Sequence, residues 1–93
     1  MNEFPMVDVI GIRALSDNRL WVRFTDGYEG EWDLSPLLSQ SGEMIAPLRD
    51  PAMFVRVFIE MGAPTWPNGF DIDPINLYMQ MRDAGLLINS RAA

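Results

Sequence analysis

The segment from Leu20 to Leu34 constrains the fold more than any other stretch of the chain. Leu20, Val22 and Phe24 alternate with Trp21, Arg23 and Thr25, and beyond Asp26-Gly27 the residues Tyr28, Gly30, Trp32 and Leu34 alternate with Glu29, Glu31 and Asp33. Two period-two runs around an Asp-Gly pair form the pattern of a β-hairpin. Loop length then decides which faces meet. A two-residue Asp26-Gly27 loop sets Phe24 against Glu29 and Val22 against Glu31, mixing core with charge. A three-residue loop, Thr25-Asp26-Gly27 with Gly27 in the left-handed region, pairs Phe24 with Tyr28, Val22 with Gly30 and Leu20 with Trp32. It also sets Arg23 across from Glu29 on the wet face. A one-residue slip turns every side chain to the opposite face, so the hydrophobic pattern selects the longer loop.

Flanking segments fit a meander. Met6 to Leu15 is rich in β-branched residues and is bounded by Pro5 and the turn cluster Ser16-Asp17-Asn18. Its apolar phase shifts between Val7/Val9 and Ile10/Ile12, which indicates a bulge or a strand covered on both faces. Ser35-Pro36 reads as an N-cap followed by proline at the first helical position, opening a short turn through Leu37-Leu38 that Gly42 ends. Asp50-Pro51 repeats the signal ahead of Ala52-Met53-Phe54. Arg56 to Glu60 reads as a strand, with Val55, Val57 and Ile59 on one face and Phe58 on the other. After a Gly62-Ala63-Pro64 turn, Thr65-Trp66 forms a short return strand that the flanking prolines confine to an edge. The last element is a helix capped by Asp73, entered through Pro74 and closed by Gly85. Ile75, Tyr78, Met79 and Arg82 share one of its sides, with Leu77, Met81 and Ala84 adjoining. The tail Leu86-Leu87-Ile88 is apolar enough to dock on the domain or on a second subunit. The expected class is α+β: a small antiparallel meander sheet of about four to five strands with short helical turns and one C-terminal helix packed on the sheet.

Composition narrows the chemistry. The 93 residues, 48% of them hydrophobic, suit a single domain with one core. The chain has no Cys, no His and no Lys; its seven basic residues are all Arg. That inventory removes disulfides, the common zinc sites, Ser-His and Cys-His nucleophile pairs and Schiff-base lysines. Proton transfer is left to Asp, Glu, Tyr28 and Tyr78, whose ordinary pKa values lie roughly three units to either side of neutrality. No cofactor and no metal are expected. The net charge of −6, with the arginines scattered singly, disfavours nucleic-acid binding by this chain alone and suits a basic partner. The opening Met1-Asn2-Glu3-Phe4-Pro5 carries no signal-peptide pattern, and no apolar run approaches the ~20 residues of a membrane span. A cytoplasmic location is therefore expected.

Four ordered features resemble the bacterial family catalogued as domain of unknown function 2442. They are the opening Val7-Asp8-Val9, the segment Leu20-x-Val22-x-Phe24-x-Asp26-Gly27, the stretch Asp33-Leu34-x-Pro36-Leu37-Leu38, and a closing Trp66-Pro67-Asn68-Gly69-x-Asp71-Ile72-Asp73-Pro74-x-x-Leu77-Tyr78. Leu48-x-Asp50-Pro51-x-x-Phe54 fits between them, and the resemblance spans about residues 6 to 80. It implies a small α+β fold and no defined activity. Some relatives carry a following helix-turn-helix domain; many are encoded beside another small protein, as in toxin–antitoxin pairs. This chain stops about where such a C-terminal domain would begin, so a DNA-binding role inherited that way is not expected here. From its length the chain reads as one domain over residues 1–93, with an 86–93 tail.

Two clusters are candidate sites. In the first, Trp66, Asn68 and Asp71 surround a polar loop where a ligand or partner arginine could stack and pair. A purely structural assignment is the favoured one there: Asn68-Gly69 makes the turn, Asp73 caps the helix and Trp66 fills the core. Asp71 and Asp73 resemble a fragment of a metal loop, but the further oxygen ligands of a calcium-binding loop are missing. In the second cluster, Glu29, Glu31 and Asp33 make an acidic stripe facing Arg23 and Arg19, with Trp21 as an aromatic anchor for a basic partner. The plain alternative is a solvated strand face with modest cross-strand pairs. The seven methionines fill core gaps or make an adaptable surface. The functional expectation is a non-enzymatic interaction or regulatory module, an acidic antitoxin-like partner of a small protein that also self-associates. The alternatives are a carboxylate- or metal-dependent enzyme, or a small-ligand sensor, at the Trp66–Asp73 corner.

Overall fold

The structure, a computed structural model, describes residues 5–89. Strands β1 (Val9–Leu15), β2 (Arg19–Phe24) and β3 (Tyr28–Asp33) form an antiparallel meander, and β6 (Ile88–Asn89) pairs with β3 as the fourth strand. Between them lie α1 (Ser35–Leu38), a 3-10 turn (Ala46–Arg49), α2 (Pro51–Phe54), the β4 (Phe58–Glu60) and β5 (Ala63–Thr65) hairpin, and α3 (Pro74–Asp83).

The central hairpin takes the register that keeps charge out of the core. Leu20 faces Trp32, Val22 faces Gly30 and Arg23 faces Glu29. Gly27 has φ +93°, its N–H donates to the Phe24 carbonyl at 3.0 Å, and the Asp26 carboxylate accepts the Tyr28 N–H at 3.1 Å. In β1 the register shifts between Val9 and Gly11, so a bulge resolves the phase change: Val9 is buried and Ile10 turns out to solvent.

Leu20, Val22 and Phe24 are fully buried beneath α3, which contributes Leu77, Tyr78 and Met81. The Tyr78 ring meets Phe24 edge-to-face at 5.0 Å. Each such large side chain, fully buried, contributes about 1.5–3 kcal/mol. The inward side of α3 is thus Leu77/Tyr78/Met81 rather than Ile75/Tyr78/Met79/Arg82. Asp73 caps α3 by accepting the Ile75 N–H, and the helix closes when Leu86 N–H reaches the Met81 carbonyl and Gly85 N–H the Arg82 carbonyl. That closure aims the chain back at the sheet, where Leu87 packs on the core and Ile88 lies opposite Glu29. The tail therefore docks on its own domain through Leu87 and the β6 pairing, while the Leu86 and Ile88 side chains stay exposed; residues 90–93 lie outside the described ones.

Three local expectations are corrected. Ser35 is not the N-cap of α1: Asp33, two residues earlier, accepts the Ser35 N–H at 2.8 Å and leaves Ser35 inside the turn. β4 begins at Phe58 rather than Arg56, because α2 continues to bond through the Val55 and Arg56 N–H groups and leaves Val55 exposed. The β4–β5 turn is Met61-Gly62, both at positive φ, so the return strand is Ala63–Thr65 and Trp66 follows it.

Candidate functional site

Trp66 is fully buried, and its indole N–H donates to the Phe54 carbonyl at 3.0 Å. Phe54 and Phe70 rings flank it, each at 6.0 Å. The ring is core and turns no face to solvent. Asn68 is a tie rather than a receptor: its amide donates to the Met44 carbonyl and its oxygen accepts the Phe70 N–H. Asp71 is exposed and bridges Thr65 through the backbone, while the Asp73 side chain is committed to the α3 cap. The corner thus brings Trp66, Asn68 and Asp71 near one another in a folded turn whose polar groups largely serve the chain itself.

Trp21, Glu29 and Glu31 do share a surface. On the outer face of the sheet, Arg13, Trp21 and Glu31 form one row across β1, β2 and β3. Two guanidinium groups stack over the Trp21 ring, Arg13 at 5.0 Å and Arg23 at 5.8 Å. Gly11 makes room for the indole, since a Cβ there would lie 3.0 Å from it. Arg23 pairs with Glu29 at 2.7 Å and Arg19 with Glu31 at 2.8 Å. These half-exposed pairs satisfy each other's charge and are worth about 0–1 kcal/mol apiece.

A further concavity goes almost unannounced in the sequence. A groove of about 710 Å³ opens between the end of β3, α1 and α3. Trp32, Leu37, Phe70, Ile72 and Leu77 supply its apolar walls, and Asp33 and Asp83 stand on its rim with the side-chain amides Gln40, Asn76 and Gln80. Among the described residues, none lining it is basic. Asp33 keeps its charge to low pH because the Ser35 backbone N–H, and next the Ser35 side chain, bond its carboxylate and hold its pKa below the usual range. The groove thus combines an indole wall, an apolar floor and fixed negative charge at its rim. The groove draws on residues 32–40, 70–72 and 76–84, so no local motif could reveal it. The one available signal was Trp32, whose placement opposite Leu20 leaves a large ring at the sheet's margin.

Elsewhere, the Tyr78 hydroxyl donates to the Asp26 carboxylate at 2.6 Å. Burial, followed by that bond, pushes the phenol up to about 12. A hydroxyl so held is a structural lock between α3 and the hairpin loop, not a base for neutral pH. Among the described residues no group of three or more His, Cys, Asp or Glu side chains is arranged to hold a metal ion, and no helix is long and apolar enough to cross a membrane.

Fold and groove together define a small α+β domain with an apolar groove, acidic at its rim, between β3, α1 and α3. The chain belongs to the family described as Protein of unknown function (DUF2442), whose model matches residues 9–83. No curated protein and no solved structure matches it.

Proposed function

We propose that this domain is a non-enzymatic interaction module that binds a basic, apolar segment of another protein in the groove between β3, α1 and α3. The observation that carries the proposal is the lining: hydrophobic walls beneath Asp33 and Asp83 with no basic side chain among the lining residues, although Arg82 approaches Asp83 at 3.3 Å from outside it, an exposed contact worth little. The overall charge of −6 acts in the same direction, drawing a basic partner into encounter. The absence of His, Cys and Lys supports recognition over catalysis, since no side chain carries an ordinary pKa near neutrality. An acidic subunit of this kind, working in a bacterial cytoplasm beside a small basic protein as antitoxins do, is the biological setting this reading favours.

The test is affinity purification from the native host with three baits: the wild-type chain, Asp83→Lys and Gln80→Lys. Both substituted positions are exposed on α3 and leave the core untouched. A basic protein retained by the wild type and released by both variants, with the purified pair reconstituting in solution, is the expected result. A partner that both variants retain with unchanged affinity would place recognition elsewhere and remove the groove from the argument.

A further inference from the structure

The groove reading leaves open the conformation of the bound segment, and the hydrogen-bond parity of β3 bears on it. In an antiparallel pair, directly opposed residues alternate between exchanging both backbone bonds and directing them away from the partner. Leu34 N–H donates to the Asn18 carbonyl at 2.8 Å, and the β2–β3 register continues as Leu20 with Trp32 and Val22 with Gly30. The even residues of β3 therefore turn their backbone groups toward β2. Glu29, Glu31 and Asp33 turn theirs to the other edge. On that edge β6 pairs with Tyr28 and Glu29 only, because the chain arriving from α3 lies with its Leu86 carbonyl against Gly30. Beyond Glu29 the edge has no strand beside it among the described residues.

The groove begins where β6 leaves off, with Trp32, Asp33 and Leu34 in its wall and Asp83 and Ala84 across from them. A strand laid along Glu31 and Asp33 would send alternate side chains to the two faces of the sheet. One set enters the groove over Trp32 and Leu77; the other stands on the outer face beside the carboxylates of Glu31 and Asp33. Resting on the groove reading, we infer that the partner segment binds as an added β-strand on the outer edge of β3, extended, with apolar and Arg or Lys residues in alternation. Two observations favour this occupant: the continuity of the edge with the existing β3–β6 pairing, and a groove lining that holds Asp33 and Asp83 but no basic side chain, which suits a strand alternating apolar and basic residues. A helix would satisfy the groove but leave the edge unpaired.

A random peptide library displayed on phage and panned on the folded full-length chain provides the probe. Peptides that alternate apolar and basic residues are expected to be enriched, and their binding to be lost in Asp83→Lys. A synthetic copy of the strongest peptide should slow hydrogen exchange of the Glu31 and Asp33 amides by about tenfold or more. N-methylation of its alternate amides, those facing β3, should weaken binding by about tenfold, while methylation of the intervening ones should not. If peptides bind in an Asp83-dependent way without protecting Glu31 and Asp33, or are enriched with helical spacing, the groove stands and strand addition falls. If no enriched peptide depends on Asp83, both the groove and the added strand are refuted.

Discussion

Replacing Gly30 with alanine tests whether the C-terminal strand is held by close backbone approach. Gly30 lies in the middle of β3, opposite Val22, and is buried. A Cβ placed there would stand nearer than 3.0 Å to the Leu86 carbonyl oxygen, and 3.2 Å from the Met81 methyl. Met81 is a flexible side chain and can yield. The Leu86 carbonyl is backbone, and its own N–H is bonded to the Met81 carbonyl at 3.0 Å as part of the helix closure. Relief therefore means shifting that closure or lifting β6 from Tyr28 and Glu29. Overpacking of this kind costs about 1–3 kcal/mol, against which Gly→Ala returns about 0.4–1 kcal/mol by restricting the unfolded chain. The expected net loss is about 1–2 kcal/mol, or roughly 4–16 °C in Tm for a domain of this size. Urea denaturation followed by tryptophan fluorescence measures the stability, and amide exchange at Ile88 reports whether the tail has lifted. Wild-type stability together with undiminished Ile88 protection would refute the reasoning, since the crowding at Gly30 would then have no consequence.

Trp66→Phe is expected to lose about 1–3 kcal/mol in the same denaturation assay, because the buried Phe54 carbonyl is left without its donor, while Asp83-dependent binding stays unchanged. Tyr78, with its pKa raised from 10.0 to about 12, contributes stability that is complete below about pH 10 and is lost as pH rises through about 12; Tyr78→Phe should flatten that alkaline limb of the stability curve. Asp33 shows the opposite sign: its lowered pKa gives a contribution present above the ordinary 3.8 and lost as pH falls further, so Asp33→Asn should make the acid limb shallower in a pH series of melts. Asp73→Ala removes the α3 cap and is expected to cost about 1 kcal/mol by thermal melting.

The parts of the fold legible in the sequence are those fixed by neighbours a few residues apart. The Leu20–Leu34 hairpin is set by alternation and turn geometry, so its register follows from side chains alone. Asp50 and Asp73 each precede a proline and cap the following turn with their own carboxylates. The same local rule misled at Ser35, because the Asp33 carboxylate accepts the Ser35 N–H and Ser35 becomes the first residue of the turn rather than its cap. It misled again at Val55–Val57, whose β-branched alternation yields to the hydrogen bonds that finish α2. What stayed hidden depends on distant contacts: which side of α3 faces the sheet, and that the sheet's fourth strand comes from the tail.

The exchange of roles between two tryptophans shows why the candidate site was harder to read than the fold. Trp66 sits among Pro, Asn, Gly and two aspartates, a composition suggestive of a ligand loop, yet the loop polarity is consumed by internal bonds that bury the ring. Trp32 sits in an ordinary alternating strand, and its strand neighbours Glu31 and Asp33 looked like a solvated stripe. Only the return of the chain from α3 to Gly30 determines how far β6 extends along β3 and leaves the Trp32 end of that strand beside a groove. A longer tail pairing would cover the edge at Glu31 and Asp33; a bulkier residue than Gly30 would keep the tail away altogether. The extent of the open edge therefore follows from one glycine and one helix closure, and extending β6 by design to pair with Glu31 should close the edge to any incoming strand.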